Sequence, residues 1–448
     1  MKLFETNKKS GLGDFAEDVL KFFRIKKKIF KNIVLFLIIA VLIVASVIFL
    51  PRIKYYFLPV ETLTIDISHI NYQKLAYKRK DAIEKDYLLT GPDDYVPARI
   101  RYKNQSFKVD IRLKGDLISH LDKNKWSFRV KLKGDNSIWG IKKFSLQSPG
   151  QRGDLAQWIF HQALKNEGLI ALRYKFVNVI VNGKNWGLYA LEEHFDKYLI
   201  ENNKRREGPI LKLDEDMLWR DRYQNDFSHQ TDFQDYNALN VDAFKKNLLF
   251  KNPSLYKAYI SGFNLLEAFR NKKLTTHEVF DVEKLAKYFA IADLTGASHA
   301  TRWHNIRFYY NPVTARLEPI GFDAGCDEIH YLLGSLRVQY FVPGAFNKFL
   351  SLFFEDEVFF AEYISQLERI SQVDYLDSFF KGIDPKLRAN QHVLEQNLKK
   401  YKFSKDVYYR NQKRIKNILT PQKAVNAHYE SRKGGVVTLS IGNILSLP

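Results

Sequence analysis

Two neighbouring segments near residue 110 alternate strictly between apolar and charged positions. The first spans residues 106–115, SFKVDIRLKG, and the second spans residues 125–134, KWSFRVKLKG. A period of two is typical of a strand with one buried and one exposed face. We therefore predict two adjacent strands that share a core face and a basic face. The basic residues of that face are Arg112, Lys114, Arg129 and Lys131.

Three more segments extend the pattern to about residue 196. Residues 140–148, GIKKFSLQS, predict a third short strand, and residues 153–168 predict an amphipathic helix. In residues 174–195, Asn182-Gly183 separates two β-rich runs, which indicates a hairpin. The expected order is strand, strand, strand, helix, strand, strand.

From about residue 201 the pattern becomes mostly helical. Residues 281–296, DVEKLAKYFAIADLTG, place apolar residues along one helical stripe. Residues 304–325 predict another hairpin, residues 345–420 predict further helices, and short strands close the chain. These patterns predict an α+β fold.

An apolar run near the N-terminus bears on location. Residues 33–50, IVLFLIIAVLIVASVIFL, hold 18 positions without a charge, which is just enough for a helix that crosses a membrane. Nine Lys or Arg precede the run and only Arg52 and Lys54 closely follow it, so the positive-inside rule puts the N-terminus in the cytoplasm. We expect a single-pass anchor in the cell (inner) membrane, with the main domain outside the cytoplasm. The alternatives are a cleaved signal peptide and a buried core helix.

These patterns give a set of predicted boundaries along the chain. They are a cytoplasmic tail over residues 1–28, a transmembrane helix over 29–51, a connector over 52–95 with a helical piece at 71–89, a lobe of antiparallel sheet plus helix over 96–200, a mostly helical lobe over 201–430 and terminal strands over 431–448.

Composition narrows the function classes. The net charge of +20 over 448 residues favours anionic partners such as phosphates, anionic lipid heads or acidic polymers. None of the common nucleic-acid modules is visible, so we expect no nucleic acid. A single cysteine, Cys326, excludes an intramolecular disulfide and a cysteine-built zinc site.

The basic sheet face has two interpretations. Four like charges on one face are either covered by water or neutralised by an anion. The order of three strands and a helix is also that of the small lobe of protein kinases, where a strand lysine contacts nucleotide phosphates. Lys131 and Lys143 are both candidates for that lysine. Glu192-Glu193, at the end of the predicted hairpin, either joins two lobes where backbone binds a base or is an ordinary strand end.

Polar residues cluster around the second hairpin. Mg²⁺ prefers oxygen ligands, and a hairpin brings its two ends together, so Asn305 and Asp323 can reach one ion. Asp293 and His299 come just upstream, where a base or an orienting group could lie. Taken singly, each of these residues has a structural interpretation as well.

Together these motifs resemble the CotH (spore coat protein H) kinase family, which has an atypical, trimmed protein-kinase fold. The segments that carry the resemblance are RLKGD (112–116), KWSFRVKL (125–132), KKFSLQS (142–148), VIVNGKNWGLYALEEHFDKYLI (179–200), HNIRFYYNP (304–312) and PIGFDAG (319–325). They cover residues 96 to 330, roughly half the chain.

The resemblance implies ATP, Mg²⁺ or Mn²⁺, and phosphoryl transfer to protein side chains. Asn305 and Asp323 would bind metal, Lys131 or Lys143 would touch phosphate, and Arg112, Lys114, Arg129 and Glu192 would complete the nucleotide site. Kinase-like members usually place a catalytic aspartate a few residues before the Asn, whereas here the nearest upstream aspartate is Asp293. Either Asp293 or His299 has taken over as the base, or the base is absent.

Three functions follow from the resemblance. The first is a membrane-anchored, kinase-like transferase that acts on an extracytoplasmic protein or an anionic envelope component. The second is an inactive envelope, coat or adhesion protein that uses the fold for binding. The third is another ATP-consuming transfer, such as adenylylation or glutamylation.

Overall fold

The computed structural model describes residues 60–122, 125–216, 219–220, 239–337, 345–399, 401–420 and 425–443, together with parts of residues 21–41. The chain divides into two compact units, Met1–Pro59 and Val60–Pro448.

In the N-terminal unit, residues 30–41 are helical. Among the described residues, no helix has both the length and the apolar character that a membrane crossing requires. The predicted anchor over residues 33–50 continues through residues 42–50, which lie outside the described residues. The anchor therefore stays a prediction.

Seven strands close into a barrel in the larger unit. They are β1 (Thr62–Asp66), β2 (Val96–Tyr102), β3 (Gln105–Leu113), β6 (Phe128–Leu132), β7 (Lys143–Gln147), β8 (Tyr174–Val181) and β9 (Lys184–Glu193), with the short pair β4 (Leu121–Asp122) and β5 (Lys125–Trp126) as a separate two-stranded sheet. The order around the barrel is β1-β2-β3-β6-β7-β9-β8, and parallel pairing of β1 with β8 closes it. A closed barrel has no free sheet edge.

The alternating pattern of the sequence determines the two faces of the barrel. Val109, Ile111 and Val130 point inward and are fully buried. Arg112 lies directly opposite Arg129 on the outer face, because β3 and β6 pair antiparallel in that register. Each fully buried Val or Ile contributes on the order of 1.5–3 kcal/mol. The predicted strands and their faces are therefore present.

The predicted hairpin turn and the predicted connector both lie at the barrel. The turn between β8 and β9 has Asn182 at φ 47° and Gly183 at φ 81°, the left-handed values that an Asn-Gly hairpin turn requires. The helical piece predicted within the connector is present as helix α1 (His69–Lys85), whose Leu75 packs into the barrel core, and the same segment also contains β1, which was not predicted. Pairing of β1 with β8 joins residues more than 100 positions apart, which local patterns do not reveal.

The rest of the unit combines helices with a second sheet. The helices are α2 (Leu155–Asn166), α3 (Lys197–Asn202), α4 (Lys246–Leu249), α5 (Pro253–Arg270), α6 (Thr276–Val279), α7 (Val282–Thr295), α8 (Ala345–Phe354), α9 (Glu357–Ile370), α10 (Val373–Asn397) and α11 (Asp406–Leu419). The strands are β10 (Ile210–Leu213), β11 (Val241–Ala243), β12 (Arg307–Asn311) and β13 (Arg316–Ile320), in the order β11-β10-β12-β13. The fold is thus α+β, as predicted.

An aromatic core fixes the β12–β13 hairpin on the helices. Phe308 of β12 packs against Phe280, with ring centroids 5.1 Å apart, and Phe280 contacts Phe353 of α8 at 5.2 Å. Asp281 caps the start of α7, and its side chain accepts a hydrogen bond from the Lys284 N–H. The helix ends at Gly296 in the left-handed conformation.

The final described strands form a separate hairpin, β14 (Val425–Lys433) with β15 (Val436–Asn443). It begins six residues before the predicted terminal region over 431–448. Residues 444–448 lie outside the described residues.

Candidate functional site

A cavity of about 300 Å³ lies between the barrel and the second sheet. Its walls come from the loops after β3 and before α2, from the strand end at His194 and Phe195, and from β10 and the β12–β13 hairpin. Six basic side chains and three carboxylates line it. The basic residues are Arg112, Lys114, Arg129, Arg152, Lys212 and Arg307, and the acidic residues are Asp116, Glu215 and Asp323.

On the barrel wall, Arg112 and Arg129 face the cavity side by side. Arg112 donates hydrogen bonds to Thr90 Oγ1 and to the carbonyl oxygen of Leu113 (3.1 Å). Burial, with the charge of Arg112, lowers the pKa of Arg129 to about 10. Two buried guanidinium groups at this spacing repel each other, so an anion between or above them would be stabilised.

Lys114 follows the end of β3 and is almost fully buried. Its amine donates a hydrogen bond to Gln147 Oε1. Burial and the nearby Arg152 lower the pKa of Lys114 to about 7, so a phosphate ligand would favour its charged form. Gly115 is next, at φ 109°, and a Cβ there would lie 2.3 Å from the His120 ring. The sharp turn that places Lys114 thus requires glycine.

On the opposite wall, Asp323 is the centre of a charged cluster. It has a left-handed φ of 58°, forms an ion pair with Arg152, and lies 3.5 Å from Nδ1 of His299. Burial would raise the pKa of the Asp323 carboxyl, but the charge of Arg152 and the His299 contact outweigh it and hold the pKa below its ordinary value. Asp323 is therefore an ionised carboxylate at neutral pH.

Asn305 lies beside this cluster. Its Nδ2 donates a hydrogen bond to the carbonyl oxygen of His299 (2.9 Å). Its Oδ1 accepts no hydrogen bond from any residue that the structure describes, which keeps this oxygen available as a ligand. The hairpin thus brings both predicted metal ligands to the same cavity, as its two ends were expected to do.

Four unsatisfied guanidinium nitrogens also belong to this cavity. The Nε atoms of Arg112, Arg129, Arg152 and Arg307 are buried and have no hydrogen-bond partner among the described residues. A buried donor without a partner costs about 1–3 kcal/mol. Four of them around one cavity fit a bound ligand rich in anionic oxygens.

Of the other predicted site residues, His299 lines the cavity beside Asp323, whereas the four others do not line it. Lys131 lines a neighbouring groove, and Lys143 is mostly buried, with a pKa lowered to about 7 by burial and Arg129. Glu192 is 1% exposed and lies opposite Ser145 on the outer barrel face. Asp293 is 2% exposed on α7, where the Leu333 N–H (3.0 Å) and the Tyr363 hydroxyl donate to it. The catalytic role of Asp293 stays a prediction that this placement does not favour.

Several cavity residues were not singled out from the sequence. Arg152 comes from a loop before α2, and Glu215 follows β10, so only the fold brings them here. Arg307 lies two positions after Asn305, and the rings of Phe195, Phe244 and Phe322 surround its guanidinium at 5.8–5.9 Å. The RLKGD segment contains Asp116, but nothing in its local pattern marks it as functional.

A second, larger groove of about 660 Å³ adjoins the cavity through Phe244, which lines both. Ile210, Leu249 and Leu255 give it apolar walls, and lysines including Lys131 and Lys142 stand at its edge. Its size suits a flat heterocyclic ring with a sugar.

The donor set at Asn305 and Asp323 was compared with what a divalent cation needs. Among the described residues, no three His, Cys, Asp or Glu side chains are grouped closely enough to hold a metal ion. Mg²⁺, however, usually binds proteins through one or two carboxylates and completes its shell with water and substrate phosphates. One amide oxygen and one carboxylate fit a metal that arrives with a phosphate ligand.

Comparison with models of protein families gives a match. A family model described as CotH kinase protein matches residues 111–424. That range includes most of the cavity residues and both ends of the β12–β13 hairpin. A search among curated proteins finds no match.

Proposed function

Since the chain belongs to the CotH kinase family, we propose that it transfers a phosphoryl group from ATP to a protein or an anionic component of the cell envelope. The observation that carries this proposal is the set of four unsatisfied guanidinium nitrogens around a cavity that also holds Asn305 and Asp323. Phosphoryl transfer depends mainly on positioning and charge stabilisation, and the cavity supplies both.

The cavity residues divide into two roles in this proposal. Arg112, Arg129 and Lys114 bind the phosphate oxygens and spread their negative charge. Asn305 and Asp323 hold Mg²⁺ or Mn²⁺, which neutralises phosphate charge when bound. Arg152, which now neutralises Asp323, is then available to the phosphates.

The nucleoside occupies the adjoining groove in this proposal. The cavity is at the lower end of the size of ligand sites, roughly 300–1,000 Å³, so it suits the phosphates alone. The groove beyond Phe244 has the apolar walls that a purine needs. The two sites together correspond to the cleft of a two-lobed, kinase-like domain, with the barrel as one lobe.

One observation favours a second function. Kinase-like members place an aspartate shortly before the metal-binding Asn, whereas this chain has the fully buried Ala300 five residues before Asn305. The alternative is therefore an inactive envelope or coat protein that binds through this cavity, or an enzyme for adenylylation or glutamylation.

Ligand binding tests the first function. The full chain is heated with ATP and Mg²⁺ or Mn²⁺, and the expected result is a raised Tm, since ligand at 100 times Kd stabilises by about 2.7 kcal/mol. Asp323→Ala should abolish the part of this shift that depends on the metal. The matched control is Asp374→Ala, because Asp374 is exposed and lines neither the cavity nor the groove.

The results separate the alternatives. No shift in the wild type argues against the ATP site, and a full shift in Asp323→Ala argues against its metal role. Mass spectrometry after incubation with ATP distinguishes added phosphate from added AMP or glutamate.

We also propose that the chain is anchored by one N-terminal helix, with the cavity outside the cytoplasm. The charge asymmetry around residues 33–50 supports this topology. A reporter enzyme that works only outside the cytoplasm should be active when it is fused after Pro448. Activity of a cytoplasm-dependent reporter at that position contradicts the topology.

A further inference from the structure

Transfer to a hydroxyl requires that the hydroxyl proton go to an acceptor. Kinases use an aspartate near the metal-binding Asn, and here that stretch contains Ala300 instead. Three carboxylates and the His299 imidazole line the cavity. Nδ1 of His299 already contacts the Asp323 carbonyl oxygen and the Asn305 amide nitrogen, at 2.9 Å each, which leaves the three carboxylates as candidates.

Two of the three carboxylates are already engaged. Asp323 is paired with Arg152 and contacts His299. Glu215 accepts a hydrogen bond from Trp219 Nε1 (3.1 Å) and lies 3.5 Å from the guanidinium of Arg307. A carboxylate that is bound to cations on its lone pairs is a weaker base.

Asp116 differs from both. As a residue it is exposed, while the cavity wall surrounds its carboxyl, and no residue that the structure describes donates a hydrogen bond to that carboxylate. It follows Lys114 and Gly115, so the same sharp turn that places the lysine also places this carboxylate. Its backbone is fixed too, because its carbonyl oxygen accepts the Leu88 N–H (2.9 Å).

The cavity is small enough that Asp116 on the barrel wall and the Asn305–Asp323 pair on the other wall can reach one transferring group. An acceptor hydroxyl that approaches from solvent would meet Asp116 at the cavity surface. We propose that Asp116 is the general base of this transferase. This proposal rests on the proposed function.

The acceptor oxygen forms a bond to the γ-phosphorus, the bond from that phosphorus to the bridging oxygen of ATP breaks, and ADP leaves with the electron pair. The hydroxyl proton passes to the Asp116 carboxylate and later to water. No oxidant or further reactant is needed.

The surroundings of Asp116 suit this task. Protein atoms around the carboxyl raise its pKa above the ordinary 3.8, and neighbouring cations oppose that rise. Four cations face it from the barrel and from the loop before α2, namely Arg112, Lys114, Arg129 and Arg152. Glu215 faces it from the loop after β10, and Arg307 faces it from β12. A base must be ionised at working pH and still accept a proton in the transition state, which a raised pKa favours.

The test uses the full chain with ATP and Mg²⁺ and follows ADP release and phosphate added to the chain itself. Asp116→Asn should lower kcat by about 10²–10⁴-fold. ATP affinity should stay the same or rise, because a negative charge near the phosphates is removed. The acidic limb of the pH–rate profile should disappear with the carboxylate.

Chemical rescue separates a base from a structural residue. Formate added to Asp116→Ala should restore part of the rate, whereas a merely structural role gives no rescue. Asp374→Asn is the control, since that residue is exposed and lines neither the cavity nor the groove.

The outcomes are distinct. If the wild type neither binds ATP nor releases ADP, the proposed function fails and Asp116 has no reaction to serve. If the wild type is active and Asp116→Asn retains its kcat, only the base assignment is overturned. Loss of ATP affinity in Asp116→Asn at normal Tm, together with no rescue of Asp116→Ala by formate, assigns Asp116 to binding and also overturns the proposal.

Discussion

The buried carboxyl of Asp293 should make the stability of the protein fall as the pH rises. It lies on α7 at 2% exposure, and its two oxygens accept hydrogen bonds from the Leu333 N–H and the Tyr363 hydroxyl. Burial raises its pKa from the ordinary 3.8 to about 7. Since one pKa unit corresponds to about 1.4 kcal/mol, ionising this group in the folded state costs about 4 kcal/mol.

The sign of the pH effect follows from where the proton is bound. Between about pH 4 and pH 7 the unfolded chain has lost this proton while the folded chain keeps it. The free energy of unfolding therefore falls as the pH rises through that window, by up to about 4 kcal/mol from Asp293 alone. Below about pH 4 the contribution is fully present.

Asp293→Asn removes this dependence, because the amide is neutral and has nearly the same shape. One hydrogen bond becomes imperfect, at a cost of about 1 kcal/mol. The variant should thus be slightly less stable than the wild type at pH 4 and more stable, by about 2–3 kcal/mol, at pH 8. ATP-dependent transfer should persist, because Asp293 does not line the cavity.

Urea unfolding of wild type and variant from pH 4 to pH 9 measures the difference. Asp135→Asn, at a fully exposed position, controls for the loss of one charge. A stability difference that stays constant across this range refutes the assignment of a protonated, buried carboxyl. Loss of transfer at normal stability instead supports a catalytic Asp293.

Three further substitutions test other parts of the structure. Lys114→Met should weaken ATP–Mg²⁺ binding at least about tenfold by calorimetry with little change in Tm, since it removes a charge-assisted phosphate contact; an unchanged Kd contradicts this role. Arg173→Gln should cost about 3–5 kcal/mol in urea unfolding, because Glu193 is 2% exposed and loses its ion-pair partner, and adding Glu193→Gln should restore part of the loss. Gly296→Ala should lower the Tm, since φ is 68° and the new Cβ would lie 1.7 Å from the Asp327 carbonyl oxygen; an unchanged Tm refutes the tight packing.

The strands of the barrel could be predicted because burial imposes a period of two on their sequence. The alternation in β3 and β6 and the Asn182-Gly183 turn are local features, and the structure contains both. Closure of the barrel by β1 could not be predicted, since its partner strand β8 lies far along the chain. Strands β10 and β11 have four and three residues, too few for a period to be recognised in a region predicted to be helical.

Only those site residues could be predicted that have a suitable side chain and that a local turn brings together. Asn305 and Asp323 lie at the two ends of a hairpin, so their approach follows from the turn alone. Arg152 and Glu215 reach the cavity only through the packing of the barrel on the second sheet, and no local pattern marks them. Lys131 fits the strand pattern as well as Lys114 does, but Lys131 lines the groove and not the cavity.

The charge balance of the cavity predicts an order of binding. Six basic side chains oppose three carboxylates, so a lone divalent cation meets an excess of positive charge, and Asp323 is already paired with Arg152. ATP brings about four negative charges, which compensate the basic residues and provide further oxygen ligands for the ion. The metal should therefore bind weakly by itself and at least about tenfold more tightly with nucleotide present. By linkage, the metal strengthens nucleotide binding by the same factor.

Calorimetric titration of Mn²⁺ into the full chain, with and without ADP, measures this coupling. Arg152→Gln should reduce the coupling between metal and nucleotide, because the metal then no longer has to displace the Arg152 guanidinium from Asp323. Asp323→Ala should leave only the metal affinity of ADP itself. If Mn²⁺ binds equally tightly without nucleotide, the basic residues do not control access to Asp323, and the assignment of the cavity to phosphates loses its electrostatic basis.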